Sequence, residues 1–209
     1  MQNPSLPNPE TNQKGYTIIE LGIALTIIAV LIVAGLAGVT AVLNNSKANA
    51  QIEESGIVLA KLQSTLTSTN ASGLTTAVAV GYSYFPASRV SGSTVTNKFT
   101  GSEFVASNAN ALTSTEGVVA AIGGGAIYTI TGVPRAVCAN IATSLATLAN
   151  SAWVYSGTGV TEATSTSGTS NFTVGTSQIK APGAQVLAAR VGTQCNLADT
   201  VNLAFFLRP

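Results

Sequence analysis

The sequence predicts an α+β protein in which one long N-terminal helix, membrane-spanning in its first half, packs on a globular domain with an antiparallel or mixed sheet. Three observations predict it: an uncharged apolar run from Leu21 to Leu43, helical spacing of apolar residues that continues to Leu66, and short apolar runs after Asn70 set among Ser, Thr and Gly. At about 1.5 Å per residue, the 23 residues of the apolar run make roughly 35 Å of helix, enough to cross a hydrocarbon core of about 30 Å.

Composition narrows the function before any motif does. Only 8% of the 209 residues are charged, against roughly 25% in an average soluble protein, and the formal net charge is +1. Nothing electrostatic therefore points to nucleic acid or to an acidic substrate, and partners are to be sought through packing. The chain has no His, which removes the usual general base, the Ser-His-Asp triad and the commonest transition-metal ligand. No catalytic residue, metal site or cofactor is expected.

Taken in order, residues 1–15 carry three Pro and a single late cation, Lys14, and form neither core nor helix. Lys14 ahead of the apolar run favours a cytoplasmic tail with the C-terminal body sent outward. Apolar character begins at Tyr16 and is interrupted only by Glu20, a carboxylate that costs on the order of 2.5–3.5 kcal/mol at a bilayer centre and so marks a functional position. Asn44 to Lys47 form a polar transition, after which Ile52, Gly56, Leu59, Leu62 and Leu66 keep one face apolar. The helix is thus expected over 16–69, with 16–43 apolar all round and 44–69 amphipathic. Gly35 and Gly38 favour either a bend or close packing against other helices, and Gly22 and Gly56 also lower helix propensity.

Residues 70–209 read as an exported head built around a sheet. Ala126 to Thr131 follows the Gly123-Gly124-Gly125 turn as a strand, Trp153 to Tyr155 is another, and Val201, Leu203, Phe205 and Leu207 alternate along a third. Val137, Ile141, Leu145 and Leu148 have helix spacing behind Pro134. The three glycines lack the Lys-Ser or Lys-Thr that a phosphate loop needs. Asn44, Asn70 and Asn171 each open an Asn-x-Ser/Thr tripeptide and receive no role. Asp199 alone makes no calcium site.

Gly15-Tyr16-Thr17-Ile18-Ile19-Glu20-Leu21, behind Lys14 and ahead of an apolar helix, resembles the processing site of type IV prepilins. The resemblance implies cleavage by a prepilin peptidase between Gly15 and Tyr16, methylation of Tyr16, and pairing of Glu20 with the amine of a neighbouring subunit in a filament. Tyr16 stands where that family commonly has Phe or Met. Two other N-terminal readings remain open: a secretory signal cut after Ala48-Asn49-Ala50, and an uncleaved single-pass anchor. Cys138 and Cys195, both in the exported part, are expected to form a disulfide. A Cys at the start of one helix, a second shortly before the C-terminal strand and a long leader resemble the type IVb branch, which includes toxin-coregulated and conjugative thin-pilus subunits. Residues 70–133 and 151–190 fall outside the resemblance and are read as variable surface.

The resemblance implies an inner-membrane precursor that becomes a subunit of an extracellular homopolymer, with the inner-membrane assembly machinery as a further partner and adhesion, aggregation or conjugative contact as the outcome. A minor pilin, a secretion-system pseudopilin and a monomeric anchored adhesin are the alternative readings.

Overall fold

The computed structural model describes residues 15–68, 71, 73–107, 112–114, 117–120, 124–157 and 177–208. Residues 1–14, Lys14 among them, and Thr69, Asn70, Gly123 and Asn171 lie outside them. Helix α1 runs unbroken from Ile18 to Ser68. The chain divides into two compact units, one up to Val42 and one from Leu43. In the first, the helix passes through Gly35 and Gly38 without interruption.

The second unit contains α2 (Thr76–Gly81), α3 (Arg135–Ala146) and α4 (Ala188–Cys195). Its strands are β1 (Val90–Ser91), β2 (Thr94–Thr96), β3 (Ser102–Ser107), β4 (Leu112–Ser114), β5 (Gly117–Ala120), β6 (Ala126–Pro134), β7 (Ser151–Tyr155), β8 (Gln178–Lys180) and β9 (Thr200–Leu207). Among the described residues, seven strands form one sheet in the order β1-β2-β3-β6-β9-β7-β8, every pairing antiparallel, while β4 and β5 pair separately. Expected as antiparallel or mixed, the main sheet is wholly antiparallel.

The sheet is buried on both faces. Val201, Leu203, Phe205 and Leu207 join one core with Val58, Leu59, Leu62 and Leu66 of α1 and with Ile141 and Leu145 of α3. The opposite face carries Phe104, Ile127, Trp153, Ala204 and Phe206, also buried. The clean alternation expected for the last strand therefore holds only for the helix-facing side.

Three further expectations are corrected. The strands expected at 126–131 and 153–155 are present, but the rest of 70–133 and 151–190, read as surface, also supplies Val105 and Ile179 to the core, because its short runs are strands of the central sheet. Leu148 is half exposed, since α3 stops at Ala146. Pro134 closes β6 and precedes α3 as its N-cap, in extended backbone, instead of sitting in the first turn.

Two glycines permit close backbone approaches. A β-carbon at Gly101 would stand 2.0 Å from the Thr131 carbonyl oxygen, at the irregularity in β6 where Gly132 takes a φ of +67°. Asn97 fixes that corner: its Oδ1 accepts from the Phe99 and Gly101 amides, and its Nδ2 donates to Thr131 O. At Gly125 a β-carbon would meet Leu207 O and the Phe206 ring at 2.4 Å, so the third residue of the glycine run is required by β9. Gly101→Ala is expected to destabilise the protein by on the order of 1–3 kcal/mol in urea unfolding. Gly81→Ala, with no atom within 4 Å of the new methyl group, is the neutral control.

Candidate functional site

The two halves of α1 present different chemistry. Gly15, Tyr16 and Thr17 precede the helix in non-helical backbone, and Tyr16 is 82% exposed. Thr17 begins the helix: its carbonyl accepts the Leu21 amide at 3.1 Å, and its Oγ1 accepts the Glu20 amide at 3.3 Å. Glu20 lies in the first turn, the acidic residue placed where the helix dipole favours one.

From Ile18 to Leu43 the large apolar side chains are all exposed, from Ile18 at 87% to Ile28 at 51%. Two polar side chains in this stretch close on their own helix, Thr26 donating to Ile23 O and Thr40 to Leu36 O, each at 2.8 Å. The segment is long and apolar enough to cross a membrane by length and composition.

The second half of α1 is anchored to the sheet by a ring of buried polar groups. Gln51 Nε2 donates to Ser55 Oγ at 2.7 Å and to Glu103 Oε1 at 2.8 Å. Tyr128 donates to Glu103 Oε2 at 2.6 Å, which leaves Ser55 to donate to the Tyr128 oxygen at 2.9 Å and closes the ring. Gln51 Oε1 accepts the Lys98 amide at 3.0 Å.

Arg89 balances the charge. Its Nη1 donates to Glu103 Oε1 and to Thr96 O, and its Nε lies 2.8 Å from Glu54 Oε2, a charge contact without hydrogen-bond alignment. Lys98 Nζ reaches Glu54 Oε1 at 2.7 Å. Burial, followed by the Glu103 carboxylate, pushes the Tyr128 pKa well above its ordinary value of 10.0. Burial also raises Tyr155.

Cys138 of α3 and Cys195 of α4 are joined by a disulfide, their Cα atoms 5.7 Å apart and 57 residues apart in sequence. At the C-terminal end of α3, Lys180 Nζ donates to Ala146 O and Ala149 O, and partial burial lowers its pKa. Among the described residues, no group of three or more His, Cys, Asp or Glu comes together as a metal site would require.

No protein-family model and no curated protein matches the chain. Solved structures do. A type IVb pilin from Salmonella typhi has a TM-score of 0.49 and 15% identity, covering 77% of this chain and 99% of its own. TcpA, a type IV pilin from Vibrio cholerae El Tor, also has a TM-score of 0.49, with 18% identity, 77% of this chain covered and 98% of its own.

The sequence pointed to Gly15, Tyr16, Glu20, Cys138 and Cys195. The structure places the first three together at the head of α1 and bonds the two cysteines in the second unit. It adds Thr17, whose signal is the Thr-x-x-Glu spacing of a helix start, and the anchor of Gln51, Ser55, Arg89, Glu103 and Tyr128, which no local pattern marks.

Arg89→Met, which leaves Glu103 buried without its cation, is expected to cost on the order of 3–5 kcal/mol in urea unfolding, whereas Lys98→Met, at a pair that solvent still reaches, costs under about 1 kcal/mol. A raised tyrosine pKa means that the folded protein keeps a proton the unfolded chain has lost. Stability is therefore full below pH 10.0 and falls as the pH rises above it, and Tyr155→Phe removes part of that alkaline loss in urea midpoints followed across this range.

Proposed function

We propose that this chain is the precursor of a type IV pilin-like filament subunit of the IVb kind, cut between Gly15 and Tyr16 and assembled through its N-terminal helix. The observation that carries the reading is the apolar surface of α1 from Ile18 to Leu43, exposed on all sides and bearing one carboxylate, Glu20, directly behind Gly15-Tyr16. Water does not tolerate such a surface, and lipid accepts it. Outside lipid, the matching cover that the chain itself supplies is the same helix of other copies.

The cleaved leader stays in the cytoplasm, the precursor sits in the inner membrane, and the assembled subunit is extracellular. Packing identical helices through non-identical faces gives an open helical polymer instead of a closed ring. The amine freed at Tyr16, methylated or not, supplies the opposite charge that makes a buried Glu20 tolerable. The disulfide-closed region holds α3 and α4 together on the outside of the polymer. The protein is a structural subunit; the peptidase performs the chemistry.

Glu20→Ala tests this reading. Cleavage and folding are expected to stay intact while the yield of sheared filaments drops at least about tenfold, the ratio that corresponds to about 1.4 kcal/mol per subunit contact. A wild-type yield removes Glu20 from assembly. A protein that is exported but never recovered in sheared material is an anchored monomer.

A further inference from the structure

We infer that Thr17 is a positioning residue for assembly: by capping α1 it fixes the turn that carries the Glu20 carboxylate. The inference rests on the filament reading above. The first four amides of a helix have no partner within it, and in lipid or a packed helical core no water replaces one. Here Thr17 serves two amides of the opening turns, its Oγ1 taking Glu20 N–H and its carbonyl taking Leu21 N–H.

Among the described residues, no neighbouring side chain substitutes for it. Gly15 has no side chain, the Tyr16 hydroxyl stands at the far end of a ring that is 82% exposed, and the next hydroxyl along the helix, on Thr26, lies about 9 Å beyond Glu20 and turns back onto Ile23 O. Thr17-x-x-Glu20 is also the spacing of a capping box, in which residue and acid meet at the same helix end. That end is where cleavage after Gly15 would create an amine. Without the cap the first turn frays and the carboxylate swings with it, so a charge pair between subunits must first reorder both groups.

The test compares Thr17→Val, which keeps the side-chain shape and removes the acceptor, with Thr17→Ser, which keeps the acceptor. Both are made in the full-length chain alongside Glu20→Ala. Thr17→Val is expected to lower the sheared-filament yield roughly fivefold, the usual scale of a lost N-cap, while Thr17→Ser retains it. Hydrogen exchange at the Glu20 amide in the detergent-solubilised precursor is expected to quicken by about the same factor in Thr17→Val alone. This second readout decides the matter even if the valine variant is cleaved slowly.

An unchanged Glu20 exchange rate, or filaments from Thr17→Val at the wild-type level, overturns the positioning role while Glu20→Ala still reports on the filament reading. If Glu20→Ala assembles normally, that reading fails in its own right and leaves Thr17 nothing to position.

Discussion

One helix has to satisfy two environments, and the rest of the structure follows from that constraint. Over its first half α1 is apolar on every side and exposed, with the Thr26 and Thr40 hydroxyls turned back onto its own carbonyls. A surface so free of outward hydrogen-bonding groups suits lipid, and it suits other copies of itself. Over its second half the same helix buries Val58, Leu59, Leu62 and Leu66 in a sheet domain. Local propensity carries the helix through both, because Leu, Ile, Ala and Gln keep it helical whatever surrounds it.

The polar ring explains how the second half holds its register. Apolar ridges on a helix can slide against a sheet at modest cost, whereas Gln51 and Ser55 meet Glu103 and Tyr128 in one rotational setting only. A one-residue slip would turn Gln51 by about 100° and leave Glu103 and Tyr128 buried without partners. Arg89 then ties the same carboxylate to the β1–β2 hairpin, and Lys98 extends the charge balance to the edge of the cluster. Buried polar groups of this kind contribute little net stability but penalise every alternative arrangement. For the filament subunit proposed above, a fixed register matters more than the last increment of stability.

Much of this was legible in the sequence because it is local. A charge-free run, helical spacing to Leu66, and the apolar stretches at 126–131, 153–155 and 201–207 each declare themselves within a few residues. The ring did not, since Gln51 and Glu103 are 52 positions apart and neither looks unusual alone. β3, with Glu103 near its start, reads as half polar, and its central place in the sheet rests on long-range pairing with β6. α4 escaped notice because Gly192 and Thr193 break its apolar pattern, yet it carries Cys195. The two faces of β9 were told apart only in part: alternation identified the residues that meet the helices, and the burial of Ala204 and Phe206 behind them needed the fold. At the head of α1, Glu20 drew attention as a charge in an apolar run, while Thr17 looked like one more threonine in a chain rich in them.

The central claim is that the apolar half of α1 leaves the membrane as a processed subunit. Intact mass of the protein in material sheared from the cell surface, set beside the membrane fraction, addresses it most directly. The account predicts a sheared chain that begins at Tyr16, lacks two hydrogens because Cys138 and Cys195 are bonded, and carries one added methyl group if its amine is modified. A chain that begins at Gln51, or one that is confined to membranes and still begins at Met1, would contradict it.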